Sequence, residues 1–249
     1  MRSKPLLLLA VLLLLLLSAC QEMQPTSVES PDIDTVRLQI TPGLTHWLPK
    51  VAECANPLPN FGIITEILPL KSLDLAQADL ILRPGTPAAE DPFVAVMGTE
   101  HLVLIAGRDV PLSSLSLKSI QAIYSAKATH WDDLPETAYQ GIQDDQLIQT
   151  LSFPDGHEVN SLFVEKYLAS EPPASQPLTY STSEYLAALL EEHPQAIGYG
   201  FESQIPENAQ RLRVSDLEED STRVFVLAVT AGQPVGGLQN LLLCLQEIP

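Results

Sequence analysis

The chain opens with Arg2 and Lys4, runs through an almost unbroken apolar stretch from Leu6 to Leu17, and then meets Ser18, Ala19 and Cys20. As a helix this stretch would reach about 18 Å at 1.5 Å per residue, short of the roughly 30 Å of a bilayer core. A basic start, a short apolar centre and a small-residue end are the pattern of an export signal over residues 1–19 rather than of a stable span. Residues 20–34 are polar, hold two prolines and show no periodicity, so they read as a flexible tether.

From Thr35 the pattern changes to short β-rich runs alternating with helical ones. Val36–Ile40, Gly62–Leu68, Ala78–Leu82, Phe93–Met97 and Leu102–Ala106 read as strands, with a helix after Thr41-Pro42. The chain leaves this first block at Arg108-Asp109-Val110-Pro111. Helices are expected at Ser116–Tyr124, Val159–Ala169 and Ser183–His193, the last opened by a capping box from Ser181 to Glu184. A strand is expected at Leu147–Phe153 and another at Arg223–Val229. A final helix carries Leu238, Leu241, Leu242 and Leu245 on one face. This is α/β order. Trp47 and Trp131 fall on or beside apolar helix faces and read as core. The Thr-His-Trp triplet that recurs at 45–47 and 129–131 reads as coincidence.

Composition narrows the function. Once the signal is removed, eleven basic residues face thirty-one acidic ones, a formal charge of −20. Phosphate-backbone binding needs clustered Lys and Arg, so nucleic acid is not a partner. The scattered acidity reads as a solvated surface. Cys54 and Cys244, in the expected first and last helices, are the two cysteines left in an exported domain, where disulfides persist, and are expected to be bonded. No G-x-S-x-G, H-E-x-x-H, Walker loop or calcium loop is present, so no catalytic set, metal site or cofactor is expected.

Leu17-Ser18-Ala19-Cys20 resembles a bacterial lipobox. The resemblance implies cleavage before Cys20, a diacylglyceryl group on its thiol, acyl chains of the palmitate kind, and anchoring at the extracytoplasmic face of the cell membrane. Leu115-Ser116-Leu117, Ile120, Ile123-Tyr124-Ser125 and Thr129-His130-Trp131 with Asp133-Leu134 resemble a segment of the phosphate-type periplasmic substrate-binding proteins. His193-Pro194-Gln195-Ala196-Ile197-Gly198-Tyr199 resembles that family's second signature, "N-P-x-A-I-G-Y". The resemblance implies a type II periplasmic-binding-protein fold over residues 35–249, with two discontinuous α/β lobes joined by two crossing strands. Lobe one would take about 35–106 and 201–249, and lobe two about 107–200. It also implies a monomer that hands a small-molecule or anionic ligand to an ABC permease.

The same resemblance assigns the ligand contacts. Thr41 and Thr45 match the family's first contact loop, although Thr41 reads equally as the cap of a helix with Pro42 in its first turn. Asp79 matches the aspartate that accepts a proton from a protonated anion. Arg83 either meets an acidic ligand or pairs with Glu90 or Asp91. The family's "G-S-G-T-R-x-x-F" clamp keeps its ends here as Gly156 and Phe163. Its hydroxyls and arginine are replaced by His157, Val159 and Asn160, and Glu158 adds a negative charge. Ser183 is a further candidate donor. With so altered a clamp, inorganic phosphate is expected to bind weakly, and two readings stand: a solute binder with a changed ligand, or a fold that has lost its ligand and acts as an interaction or sensor module.

Overall fold

The computed structural model describes residues 33–136 and 147–247. The export signal, Cys20 and all but the end of the tether lie outside the described residues. Ten strands and five helices are present among the described residues.

The first half of the domain is built on a sheet whose strands run β2 (Phe61–Ile67), β1 (Asp34–Ile40), β3 (Leu80–Gly85), β10 (Arg223–Thr230) and the first part of β4 (Phe93–Ala106). In β1 the period of two sends Val36, Leu38 and Ile40 into the core. Helix α1 (Leu48–Ala55) follows a 3-10 turn, Pro42–Trp47, and packs with the last helix, α5 (Gly236–Glu247). Leu241, Leu242 and Leu245 of α5 are buried, and Cys54 is bonded to Cys244 across the pair.

The second half is built on β8 (Ala196–Phe201), β6 (Gln149–Ser152) and β7 (Leu178–Thr179), with β9 (Gln210–Val214) beside β4 and the short β5 (Ser114–Leu115) beside β9. Around it lie α2 (Leu117–Tyr124), α3 (Glu158–Tyr167) and α4 (Ser183–Glu192). Ser116 caps α2 by accepting from the Ser119 amide. The motif that follows is structural: Asp133 accepts from the Thr129 and His130 amides, and Glu136 from Ser116 N and the Ser119 hydroxyl. An aromatic cluster of Tyr124, Phe153, Phe163, Tyr167, Tyr180 and Tyr199 fills the interior. Each buried phenol has a partner, as in Tyr167 donating to Leu102 O at 2.7 Å, and burial raises their pKa values above the usual phenol range.

One long strand connects the halves. The two strands expected at Phe93–Met97 and Leu102–Ala106 are a single strand of fourteen residues, β4. Its start pairs with β10 and its end with β8 and β9, so the apolar alternation only marked where the partner changes. The chain leaves β4 at Gly107, which passes so close to the segment before β8 that a Cβ there would lie 2.2 Å from Pro194 O. The expected capping box at Ser181–Glu184 is one residue off. Thr182 is the cap, accepting from Tyr185 N at 3.2 Å, because its extended backbone places the hydroxyl over the first turn. Trp47 and Trp131 are core, as their positions predicted.

Candidate functional site

Between the loops of the two halves lies a cavity of about 420 Å³. Its walls come from the turn after β1 (Pro42, Gly43, Thr45, His46), from Phe153 after β6, from Tyr180–Glu184 at the start of α4, and from Gly200 and Ser203–Ile205 after β8. Hydroxyls are frequent in this lining. No lysine or arginine is among them. The volume is in the range of small-molecule sites.

The turn at Gly43 is in direct contact with the start of α3. Glu158 Oε1 accepts the Gly43 amide at 2.5 Å, and Glu158 is 1% exposed. A Cβ at Gly43 would stand 2.7 Å from that oxygen and 2.7 Å from Val159 Cγ2, so glycine is what lets the two segments meet. The other carboxylate oxygen, Oε2, is buried and has no hydrogen-bond partner among the described residues; the hydroxyl of Thr41, two residues before Gly43, is in the same condition. His157 Nδ1 lies 3.5 Å from Oε2 but accepts the Val159 amide at 3.3 Å, which makes the ring neutral. Burial keeps the His157 pKa below the usual imidazole value, against the pull of Glu158. The ring stacks on Phe153 at 4.3 Å.

A second acidic group braces the cavity floor. Glu100 of β4 is 7% exposed and accepts from His46 Nε2 at 2.6 Å, Ser203 Oγ at 2.7 Å and Trp47 Nε1 at 3.2 Å. Burial pushes the Glu100 pKa up, but these hydrogen bonds, with His46 first, outweigh it and leave it below the usual carboxylate value. Gln204 Nε2 donates to His46 Nδ1 at 2.8 Å and to Gly43 O at 3.1 Å. With Nδ1 accepting, the His46 proton sits on Nε2 and points at Glu100. Ser203 likewise gives its proton to Glu100. A nucleophilic serine needs a histidine base to receive its proton, so this Ser–His–Glu grouping is a brace and not a triad.

Of the residues singled out from the sequence, Thr45 and Ser183 line the cavity, and Ser183 Oγ also donates to Gln204 O at 2.6 Å. Thr41 immediately precedes the lining turn, Gly156 and His157 stand just before α3 and Asn160 in its first turn, and none of the four lines the cavity. Thr41 has the extended backbone of a cap and Pro42 follows in the first turn, but the Thr41 hydroxyl makes no capping bond. Gly156 takes a φ of +83°, a left-handed turn that glycine enters at least cost. Asn160 Oδ1 accepts from Tyr199 OH at 2.8 Å. Asp79 and Arg83 are elsewhere. Asp79 accepts the Arg37 amide at 2.8 Å and faces a separate cavity with Asp34 and Thr230. Arg83 is held by Asp91 at 2.5 Å and donates to Thr86 O, the second of its two expected arrangements. Glu158 was legible only as an added charge. His46, Glu100, Ser203 and Gln204 carried no usable signal beyond the Thr45-His46-Trp47 triplet.

No protein-family model matches the chain, and no curated protein matches it in sequence. Solved structures do. A phosphate ABC transporter substrate-binding protein from Clostridium perfringens, solved with bound phosphate, is 17% identical with a TM-score of 0.68, over 85% of this chain and 92% of that one. An ABC-type phosphate transport receptor from Vibrio cholerae is 12% identical with a TM-score of 0.68, over 86% and 93%. The regulatory domain of CcmR from Synechocystis PCC6803, in complex with 2-PG, is 13% identical with a TM-score of 0.59, over 85% and 95%. These likenesses establish the fold, the two-lobed type II periplasmic-binding-protein fold that the sequence motifs implied.

Proposed function

We propose that this chain is an extracytoplasmic solute-binding lipoprotein, held to the membrane through Cys20, that delivers a small polar ligand to an ABC permease. It is a binder and not a catalyst. The observation that carries the reading is the cavity of about 420 Å³ between the loops of the two halves, in a fold shared with a substrate-binding protein solved with bound phosphate. Its lining sets the ligand class. Hydroxyls offer hydrogen bonds, Phe153 offers an apolar face, and Glu184 is the charged group, with no lysine or arginine. A neutral or cationic polar solute suits such walls, and an inorganic anion does not.

Thermal-shift screening of the mature protein tests this. Neutral polyols and small amines should include a stabilising ligand, worth about 2.7 kcal/mol at a hundred times its dissociation constant. Phosphate, sulfate, molybdate and small organic acids should not stabilise. Micromolar phosphate binding would overturn the assignment of ligand class.

The anchor makes a separate prediction. Cys20→Ser should release the protein from membranes into the soluble fraction, and mass spectrometry of the native N-terminus should find the lipid. An unmodified Cys20 would remove the lipoprotein claim.

A second reading has its own support. The Gly43 turn and the start of α3 meet with no space between them, and the fold also serves as a regulatory domain in CcmR. If no solute of any class stabilises the protein, the interaction or sensor module is the better description.

A further inference from the structure

The least economical feature of the interior is Glu158. A carboxylate 1% exposed, with one oxygen on a single backbone amide and the other without a hydrogen bond, is costly to bury. Nothing cationic offsets it: His157, 3.5 Å away, is neutral by its hydrogen bonding, and no lysine or arginine pairs with Glu158 among the described residues. An apolar residue would fill the space but leave the Gly43 amide without this acceptor, so the placement serves the amide and not packing alone. The contact is also long-range, joining residues 115 apart, so it belongs to tertiary closure and not to the local capping of α3.

We propose that Glu158, buried behind the Gly43 turn that lines the cavity, determines specificity: its carboxylate occupies, from within the protein, the seat that a tetrahedral oxyanion would take on the Thr41–Gly43 turn. The chemistry is shared. A carboxylate oxygen on an amide at 2.5 Å makes the charge-assisted bond that a sulfate or phosphate oxygen would make. The buried Thr41 hydroxyl, also without a partner, stands two residues from that amide. With Glu158 in place, an incoming anion finds the seat filled and meets a like charge. The inference rests on the solute-binding reading for taking the Thr41–Gly43 turn as ligand-facing.

The test titrates sulfate and inorganic phosphate into the purified mature protein and its variants by calorimetry at low salt. Glu158→Ala and Glu158→Ser empty the seat and should bind either anion roughly 10- to 100-fold more tightly than the native protein, the equivalent of one regained charged hydrogen bond. Glu158→Gln keeps an oxygen on Gly43 and should gain nothing. Folded Ala or Ser variants with no gain would overturn the proposal. So would tight anion binding by the native protein. Should neither small variant fold, amide exchange decides: Gly43 N–H should exchange at least about tenfold faster in Glu158→Gln, since a neutral acceptor bonds more weakly, and an unchanged rate would overturn the proposal. A neutral or cationic solute that binds no form counts against the solute-binding reading alone and leaves the anion comparison standing.

Discussion

Reduction of the Cys54–Cys244 bond, or its removal in a Cys54→Ser, Cys244→Ser variant, should lower the melting temperature by roughly 10 °C. The bond closes a loop of 190 residues by sequence separation. Chain entropy puts the stabilisation from so long a loop near 5 kcal/mol as an upper figure, and about 2–4 kcal/mol is the usual yield. The reason for expecting a large share of it lies in what the bond joins. Helix α1 follows the first strand of the domain and α5 ends it, so unbonded denatured chains explore nearly the whole contour between them. The helices still hold Val51, Leu241 and Leu245 buried in the folded state, so the reduced protein should remain native at room temperature. Urea denaturation with and without reductant measures the difference. Two titratable thiols in the unreduced, unfolded protein would contradict the bond itself, and an unchanged midpoint would show that it does not stabilise.

Phe163→Ala should cost about 3–5 kcal/mol, the range for truncating a fully buried aromatic. Phe163 is 0% exposed and sits at the centre of the aromatic cluster. It stacks on Tyr199 with ring centres 3.7 Å apart and planes within 2°, on Tyr167 at 5.2 Å, and meets Tyr124 edge-on at 4.7 Å. Three rings would face the hole. They cannot collapse freely, because their hydroxyls are fixed: Tyr199 to Asn160 and Ser152, Tyr167 to Leu102 O, and Tyr124 to Leu151 O. Phe163→Leu keeps most of the volume and should cost much less, about 1.5 kcal/mol. The urea midpoint should fall in both variants with an unchanged slope. A loss below about 1 kcal/mol for the alanine variant would mean that the cluster repacks around the gap. Phe163 also fixes the inner face of α3, so the alanine variant should loosen the hold of Glu158 on Gly43.

Much of the fold was written locally. The core stripe of β1, the apolar face of α5, the Ser116 cap and the turn at Gly156 each depend on residues a few positions apart, and periodicity exposes such relations. Cysteine pairing was also open to reading, since one pair was left after Cys20 was set aside. The family motifs identified the fold, although one of them holds a structural turn through Asp133 and Glu136 and none of its residues lines the cavity between the halves.

The site was a different matter. Asp79 and Arg83 stand four residues apart on or beside one strand and were grouped with Thr41. The register of β1 against β3 instead sets Asp79 beside Arg37, and Asp91 draws Arg83 into its own ion pair. Glu158 meets Gly43 across 115 residues, and Glu100 meets His46 and Ser203 across 54 and 103. Those partners are chosen by which strands pair and by how closely a glycine lets two turns approach. Hydrophobic period and capping chemistry act over one or two turns of chain and so determined the elements; the sheet order, which sums interactions over the whole domain, decided that the carboxylate added by Glu158 lies on the Gly43 amide.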